Sequence, residues 1–307
     1  MSSAMRAVGW SPVACALAVC ALGAALATAP DATARPLAET EAKEAAAASA
    51  PANPWAQVRA PSTGAPRSVG GYSAGCLSGA ARLPARGRGF MVAEPERRRV
   101  FGHPALVAFI RALGAKVDAS GLGVLPIGDM SQPRGGPAPS GHASHQTGLD
   151  ADIWYVDGQR AGKGRLEKVA MVDLEANQPT AAFGPRIARV LTMAAADPRV
   201  DRIFVNPVIK RELCAGVGQD RAWLHKLRPW WLHHEHFHVR LVCPADSPEC
   251  APQGAIPAGD GCGEVDWWLK PKAEAERSEK RKRYRSRQGV VPALPERCSA
   301  LVVDHRK

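Results

Sequence analysis

The stretch His233-His234-Glu235-His236-Phe237-His238-Val239-Arg240 constrains this chain more than any other, because its letters fix the period of one segment. Four of the nine histidines fall within six residues. Phe237, Val239 and Leu241 alternate with the His236-x-His238 pair, which reads as a β-strand. On a strand, residues two apart share a face, so both imidazoles point the same way. That geometry suits one metal ligand and one neighbour that touches whatever the metal holds; the competing reading is a solvated histidine patch that binds metal only casually. His234 to His238 also spells H-E-x-x-H, which on a helix would supply two ligands and a glutamate base. The β-branched, alternating residues downstream favour the strand.

A second segment, Ser140 to Trp154, holds His142, His145, Asp150 and Asp152. Gly141 and Gly148 punctuate it, and Ile153, Trp154 and Tyr155 begin an apolar run. We read a loop carrying His145 that enters a strand carrying Asp152. His145, Asp152 and His238 would make a three-residue zinc site with one position open, the pattern of catalytic zinc. Structural zinc would more often recruit cysteine, and the chain has no C-x-x-C. The plainer alternative has Asp150 or Asp152 capping a turn and the histidines on the surface.

Residues 1–34 read as a secretory signal peptide. Arg6 precedes an apolar run from Val13 to Ala27, followed by two A-x-A sites; cutting after Ala34 avoids Pro30. The run is shorter than the roughly 20 residues that span a bilayer, so no stable membrane anchor is expected. Val19 before Cys20 is too large for a lipoprotein site. Residues 35–67 form a flexible Ala/Pro-rich lead-in, and residues 68–307 are long enough for one domain. Six cysteines follow the signal: Cys76, Cys214, Cys243, Cys250, Cys262 and Cys298. In an exported chain they read as three disulfides, with 15 pairings open.

Phe101 to Leu113 and Pro185 to Ala195 carry apolar residues at helical spacing, and Arg202 to Asn206 reads as a short buried strand. The mixture predicts an α+β fold: a small antiparallel sheet carrying the zinc site, surrounded by helices and disulfide-stapled loops. The formal charge is +11, much of the excess lying in a basic segment at 277–287. In an exported chain that run points away from nucleic acid and toward a solvated segment or an anionic polymer. Trp230, Trp231, Trp267 and Trp268 read either as packing or as a wall that binds sugar or peptide. Gly71 to Gly75 matches the G-x-S-x-G of serine hydrolases, but no strands lie upstream to build a nucleophile elbow, and S-x-x-K is absent.

The spacing His145-x6-Asp152 with a distant His236-x-His238 resembles the lysostaphin, D-Ala-D-Ala metallopeptidase and hedgehog-like superfamily. Gly70-Gly71-Tyr72-Ser73-Ala74-Gly75-Cys76, Arg98-Arg99-Val100-Phe101-Gly102-His103-Pro104, Ser144-His145-Gln146-Thr147-Gly148-Leu149-Asp150, Phe204-Val205-Asn206-Pro207 and the run from His238 to Ser247 narrow the likeness to the penicillin-insensitive murein endopeptidases. It extends from about Ser68 to about Leu301. The resemblance implies a periplasmic zinc (Zn2+) metallopeptidase that hydrolyses D-alanyl–meso-diaminopimelyl cross-links in peptidoglycan and is insensitive to penicillin. It implies His145, Asp152 and His238 as ligands, His142 as a histidine associated with the metal, and His236 and His233 as catalytic residues. It implies the bridges Cys76–Cys298, Cys214–Cys262 and Cys243–Cys250, and it demotes the H-E-x-x-H spelling to coincidence. The runner-up is a non-catalytic zinc-containing cell-wall-binding module, which would need neither His233 nor His236.

Overall fold

A computed structural model describes residues 53–139, 142–155, 166–216, 218, 220–270, 275–276, 278–279 and 291–303. The expected signal peptide, the lead-in before residue 53 and all but two residues of the basic segment lie outside the described residues. In chain order the strands are β1 (Arg67–Gly71), β2 (Ala74–Ser78), β3 (Ala81–Arg82), β4 (Arg86–Gly87), β5 (Phe90–Val92), β6 (Phe101–Gly102) and β7 (Leu125–Ile127). Then follow β8 (Asp150–Trp154), β9 (Val172–Asp173), β10 (Gln178–Pro179), β11 (Val200–Val205), β12 (Leu227–Pro229) and β13 (His236–Leu241). The α-helices among the described residues are α1 (Pro104–Ala119), α2 (Pro185–Ala195), α3 (Pro207–Gly216), α4 (Val265–Leu269) and α5 (Glu296–Val303).

The fold is α+β as expected, but its main sheet is larger than a small antiparallel one. Seven strands run in the order β12-β11-β13-β8-β7-β5-β4. β11 pairs with β12, and β5 with β7, in parallel. The outer strands are two or three residues long, and two of them contain Pro126 and Pro229. Segments that short show no alternation to read, and proline argues against a strand.

At the centre, β8 and β13 pair antiparallel, with Ile153 opposite Phe237 and Ala151 opposite Val239. These four belong to the same core as Leu106, Phe109 and Ile110 of α1 and Ile187, Val190 and Leu191 of α2. α1 starts where His103 accepts a hydrogen bond from the Ala105 amide and Pro104 supplies a helical φ. Its buried positions 106, 109, 110, 113 and 117 make one apolar stripe. One face of the sheet therefore joins the helices, and the opposite side chains of β8 and β13 are left for other use.

Part of the expected lead-in is packed. Trp55 is buried, and its indole lies where a side chain on Gly136 (φ +74°) would stand. Asn53 donates to the Pro137 carbonyl, 2.9 Å away. The polar, Ala/Pro-rich composition around Trp55 conceals this anchor. Cysteines pair as Cys76–Cys298, Cys214–Cys262 and Cys243–Cys250. The first ties β2 to α5, where Cys76, Cys298, Val69 and Trp55 share a small core. Among the described residues, no helix is long and apolar enough to cross a membrane.

The bridges span 222 and 7 residues respectively for Cys76–Cys298 and Cys243–Cys250. Chain entropy makes the longer loop worth about 5 kcal/mol and the shorter about 2 kcal/mol. Urea unfolding of the Cys76→Ser/Cys298→Ser and Cys243→Ser/Cys250→Ser variants should therefore show the larger loss for the first pair.

Candidate metal centre

The β8–β13 register builds the site. His238 lies directly across from Asp152, and Arg240 across from Asp150. Both pairs project from the face opposite Phe237 and Val239, because side chains alternate along each strand. The H-E-x-x-H alternative fails here: His236 and His238 stand on a strand, with His234 and Glu235 before it. G-x-S-x-G fails as well, since Ser73 is an exposed residue in the hairpin turn between β1 and β2, with no helix after it.

That hairpin has another task. It holds the loop that carries His145. Gln146 donates from its side chain to the Ser73 carbonyl (2.8 Å) and accepts from the Gly75 amide (3.2 Å). Its own amide donates to Tyr72, and Ser68 Oγ donates to the Thr147 carbonyl. Gly148 (φ +71°) packs so closely that a Cβ would stand 2.4 Å from Leu77 and 2.9 Å from the His103 amide. His145 itself adopts a left-handed backbone at φ 68°. Such a conformation costs of order 1–3 kcal/mol outside glycine, and the hairpin contacts hold it.

Four sequence-predicted histidines converge on one carboxylate. Asp152 Oδ1 lies 3.2 Å from His238 Nδ1, 3.5 Å from His145 Nε2 and 3.7 Å from His236 Nε2. His142 Nε2 is 3.5 Å from Asp152 Oδ2. His142, His145 and Asp152 offer ligand atoms within 4.8 Å of one another, a group that could hold a metal ion. His233 stands outside this circle; its ring centre is 4.9 Å from that of His236 and 6.1 Å from that of His238.

The donor set fits a zinc-type cation. Both ring nitrogens of His145 and Oδ1 of Asp152 are buried without a hydrogen bond. Buried polar atoms are nearly always satisfied, and a cation between Asp152 Oδ1 and the facing His145 Nε2, 3.5 Å apart, would satisfy those two. Burial opposes ionisation of Asp152, yet His236, His145 and His142 outweigh it and hold the carboxyl well below its ordinary range. Burial lowers the pKa of His145 despite Asp152, which keeps the imidazole in the neutral form that binds metal.

Two further carboxylates orient the histidines, and sequence reasoning assigned neither to the site. Asp150 is fully buried. It accepts from His238 Nε2 (3.0 Å), from Arg240 Nε (2.7 Å) and from the His145 amide (3.0 Å). Because a carboxylate can only accept, His238 donates from Nε2 to Asp150 and from Nδ1 toward Asp152, and a metal at Nδ1 would displace only the second proton. Burial works against charge on His238, but Asp150 and Asp152 overcome it and push its pKa up to about 9. Asp129 accepts from Arg97 and Arg99 and lies 3.0 Å from His142 Nε2. The signal that could have found Asp150 was available: an Asp150-x-Asp152 alternation that mirrors His238-x-Arg240.

His236 and His233 sit on the open side. Burial lowers His236 to about 4, opposed by Asp152, so it is neutral at pH 7. His233 donates from Nδ1 to the Trp231 carbonyl (2.7 Å), which leaves Nε2 as its basic nitrogen. Burial holds its pKa well down too, with His236 and His238 adding to the effect. Leu232 (φ 61°) and His233 (φ 44°) form a strained left-handed pair, held where Asn206 donates to the Leu232 carbonyl at 2.7 Å.

The chain is similar to known proteins over most of its length. A family profile described as penicillin-insensitive murein endopeptidase matches residues 68–303. A penicillin-insensitive murein endopeptidase of Yersinia enterocolitica is 44% identical over 260 residues, covering 83% of this chain and 92% of the relative. One from Klebsiella pneumoniae is 43% identical over 267 residues, covering 85% and 95%. One from Pectobacterium atrosepticum is 43% identical over 258 residues, covering 82% and 89%.

Asp150→Asn should lower zinc affinity by about 10- to 100-fold, the scale for losing a carboxylate behind a ligating histidine. Asp150→Ala should in addition destabilise the fold by about 3–5 kcal/mol, because Arg240 is left buried and unpaired. Competition against a chromogenic chelator and a urea melt read the two effects; unchanged affinity in Asp150→Asn would remove Asp150 from the site.

Proposed function

The chain belongs to the penicillin-insensitive murein endopeptidase family, and on that premise we propose that it is a periplasmic, zinc-dependent endopeptidase that hydrolyses D-alanyl–meso-diaminopimelyl cross-links in peptidoglycan. The observation that carries this reading is the convergence of His142, His145, His236 and His238 on Asp152, with buried atoms that no protein group satisfies. His145, Asp152 and His238 would hold the zinc, with His142 beside them. When bound, zinc supplies Lewis-acid polarisation of a carbonyl and lowers the pKa of water at its open position.

The chain's own residues do the rest. Asp150 holds the Nε2 proton of His238, so the ligand nitrogen needs no reorientation. Neutral His236 accepts a proton at Nε2 from the attacking water and returns it to the leaving amine. His233, with Nδ1 donating to the Trp231 carbonyl, presents a neutral, basic Nε2 beside His236 and can serve as a second proton acceptor. A cavity of about 330 Å³ opens nearby, lined by Arg59, Arg97, Arg98 and Arg99. Arg97 and Arg99 also hold Asp129 against His142, so the cleft adjoins the metal centre. Arg59 and Arg98, whose guanidinium groups contact backbone carbonyls here, suit the free carboxylates of murein stem peptides.

Cross-linked muropeptide dimers, digested and weighed by mass spectrometry, should yield monomers cut between D-alanine and diaminopimelate. A chelator should stop the reaction and penicillin should not; cleavage of the glycan with intact peptides would overturn the substrate class.

His236→Ala should keep stoichiometric zinc yet lose roughly 10²- to 10⁴-fold in rate, the range for removing a general base. His145→Ala should lose the metal itself, and Glu235→Ala should cost far less than either. Zinc loss from His236→Ala would make His236 a ligand instead.

A further inference from the structure

The paired tryptophans divide into an anchor and a display. Trp231 is buried, whereas Trp230 is 43% exposed and Trp267 40%. Six large apolar side chains stand exposed among the described residues, and two of them, Trp230 and Trp267, flank one ring, Trp268. The rings brace one another: Trp268 lies 5.1 Å from Trp231, 5.8 Å from Trp230 and 5.3 Å from Trp267. Packing accounts for Trp231 and Trp268, but it does not require indoles at the surface on either side of them.

The patch is continuous with the metal centre. Phe204 touches His238 on one side (5.3 Å between ring centres) and Trp230 on the other (5.7 Å). Leu232 and His233 share the strained turn that Asn206 holds. An aromatic face therefore starts at the ligand histidine and runs outward. Contiguous exposed apolar surface of this kind marks a binding site. Its occupant must offer a flat C–H surface of indole size. Stem peptides of murein carry methyl groups, carboxylates and amines, with no large apolar side chain. The pyranose faces of the glycan do offer such a surface, and their hydroxyl and acetamido edges stay in water, as the rim of an exposed indole also does.

We infer that Trp230 and Trp267 form a glycan subsite that stacks the amino-sugar rings of the strand bearing the scissile cross-link. The inference rests on the endopeptidase reading for its place in catalysis, but the subsite's binding is testable without turnover. Peptide-free murein glycan strands should quench tryptophan fluorescence saturably, and Trp230→Ala should weaken that binding about five- to tenfold, the scale of one lost aromatic contact. Trp230→Phe, which keeps a stacking face, should restore most of it. In turnover, the kcat/KM ratio of disaccharide-bearing over sugar-free cross-linked peptides should fall by a similar factor in Trp230→Ala, mainly through KM. No glycan binding, or an unaltered ratio, would overturn the subsite. An equal loss on both substrates would assign the face to peptide and overturn it too. If wild-type protein binds glycan yet cuts neither substrate, the endopeptidase reading fails while the subsite stands.

Discussion

Arg240 stands across from Asp150, and His238 across from Asp152, in one antiparallel register; the site exists because that register holds. Strand side chains alternate with period two, so a slip of one residue would turn both histidines toward α1 and α2 and bring Phe237 and Val239 out. The apolar face prevents the slip. Phe237, Val239, Ala151 and Ile153 are all buried within the same core, and exposing them would cost several kcal/mol. Hydrophobic burial on one face of the sheet thus positions chemistry on the other.

The charged layer is held by pairing rather than by solvent. Asp129, Asp150 and Asp152 are all buried, yet each is held ionised well below the ordinary carboxylate range. For each, burial is the largest single influence and opposes ionisation, so only several partners acting together reverse it. Arg240 and His238 do so for Asp150, and His142, Arg97 and Arg99 for Asp129. A buried ion pair of this kind adds little net stability, but removing one member strands the other. That asymmetry makes Asp150 the hub of the layer: it holds the Nε2 proton of His238, its cross-strand arginine and the entry of the His145 loop together.

Strain and staples are distributed around this layer. His145, Leu232 and His233 all take left-handed backbone conformations, and each is followed by a residue of the site or belongs to it. Their restraints come from far along the chain: the β1–β2 hairpin for the first, Asn206 for the other two. Cys76–Cys298 fastens that hairpin to α5 and so stabilises the loop at a distance. The aromatic face beside His233 extends the same turn to the surface, where two indoles remain exposed.

The sequence alone determined the features with a short period or a fixed spacing. The alternation around His236 and His238 read as a strand because period two is visible in six residues, and α2 was legible from 3.6-residue spacing over Pro185 to Ala195. The family resemblance carried the disulfide pairing, which six cysteines alone leave open. The seven-stranded sheet was not legible, because strands of two or three residues have no periodicity and parallel partners are distant in sequence. Trp55 was hidden inside a polar segment, since what buries it is a glycine 81 positions later. The sequence offered Asp150 no role beyond the plainer alternative in which it or Asp152 caps a turn. Its partner Arg240 is 90 residues away, and only the tertiary pairing of β8 with β13 brings a carboxylate, a guanidinium and a histidine ring within hydrogen-bonding distance.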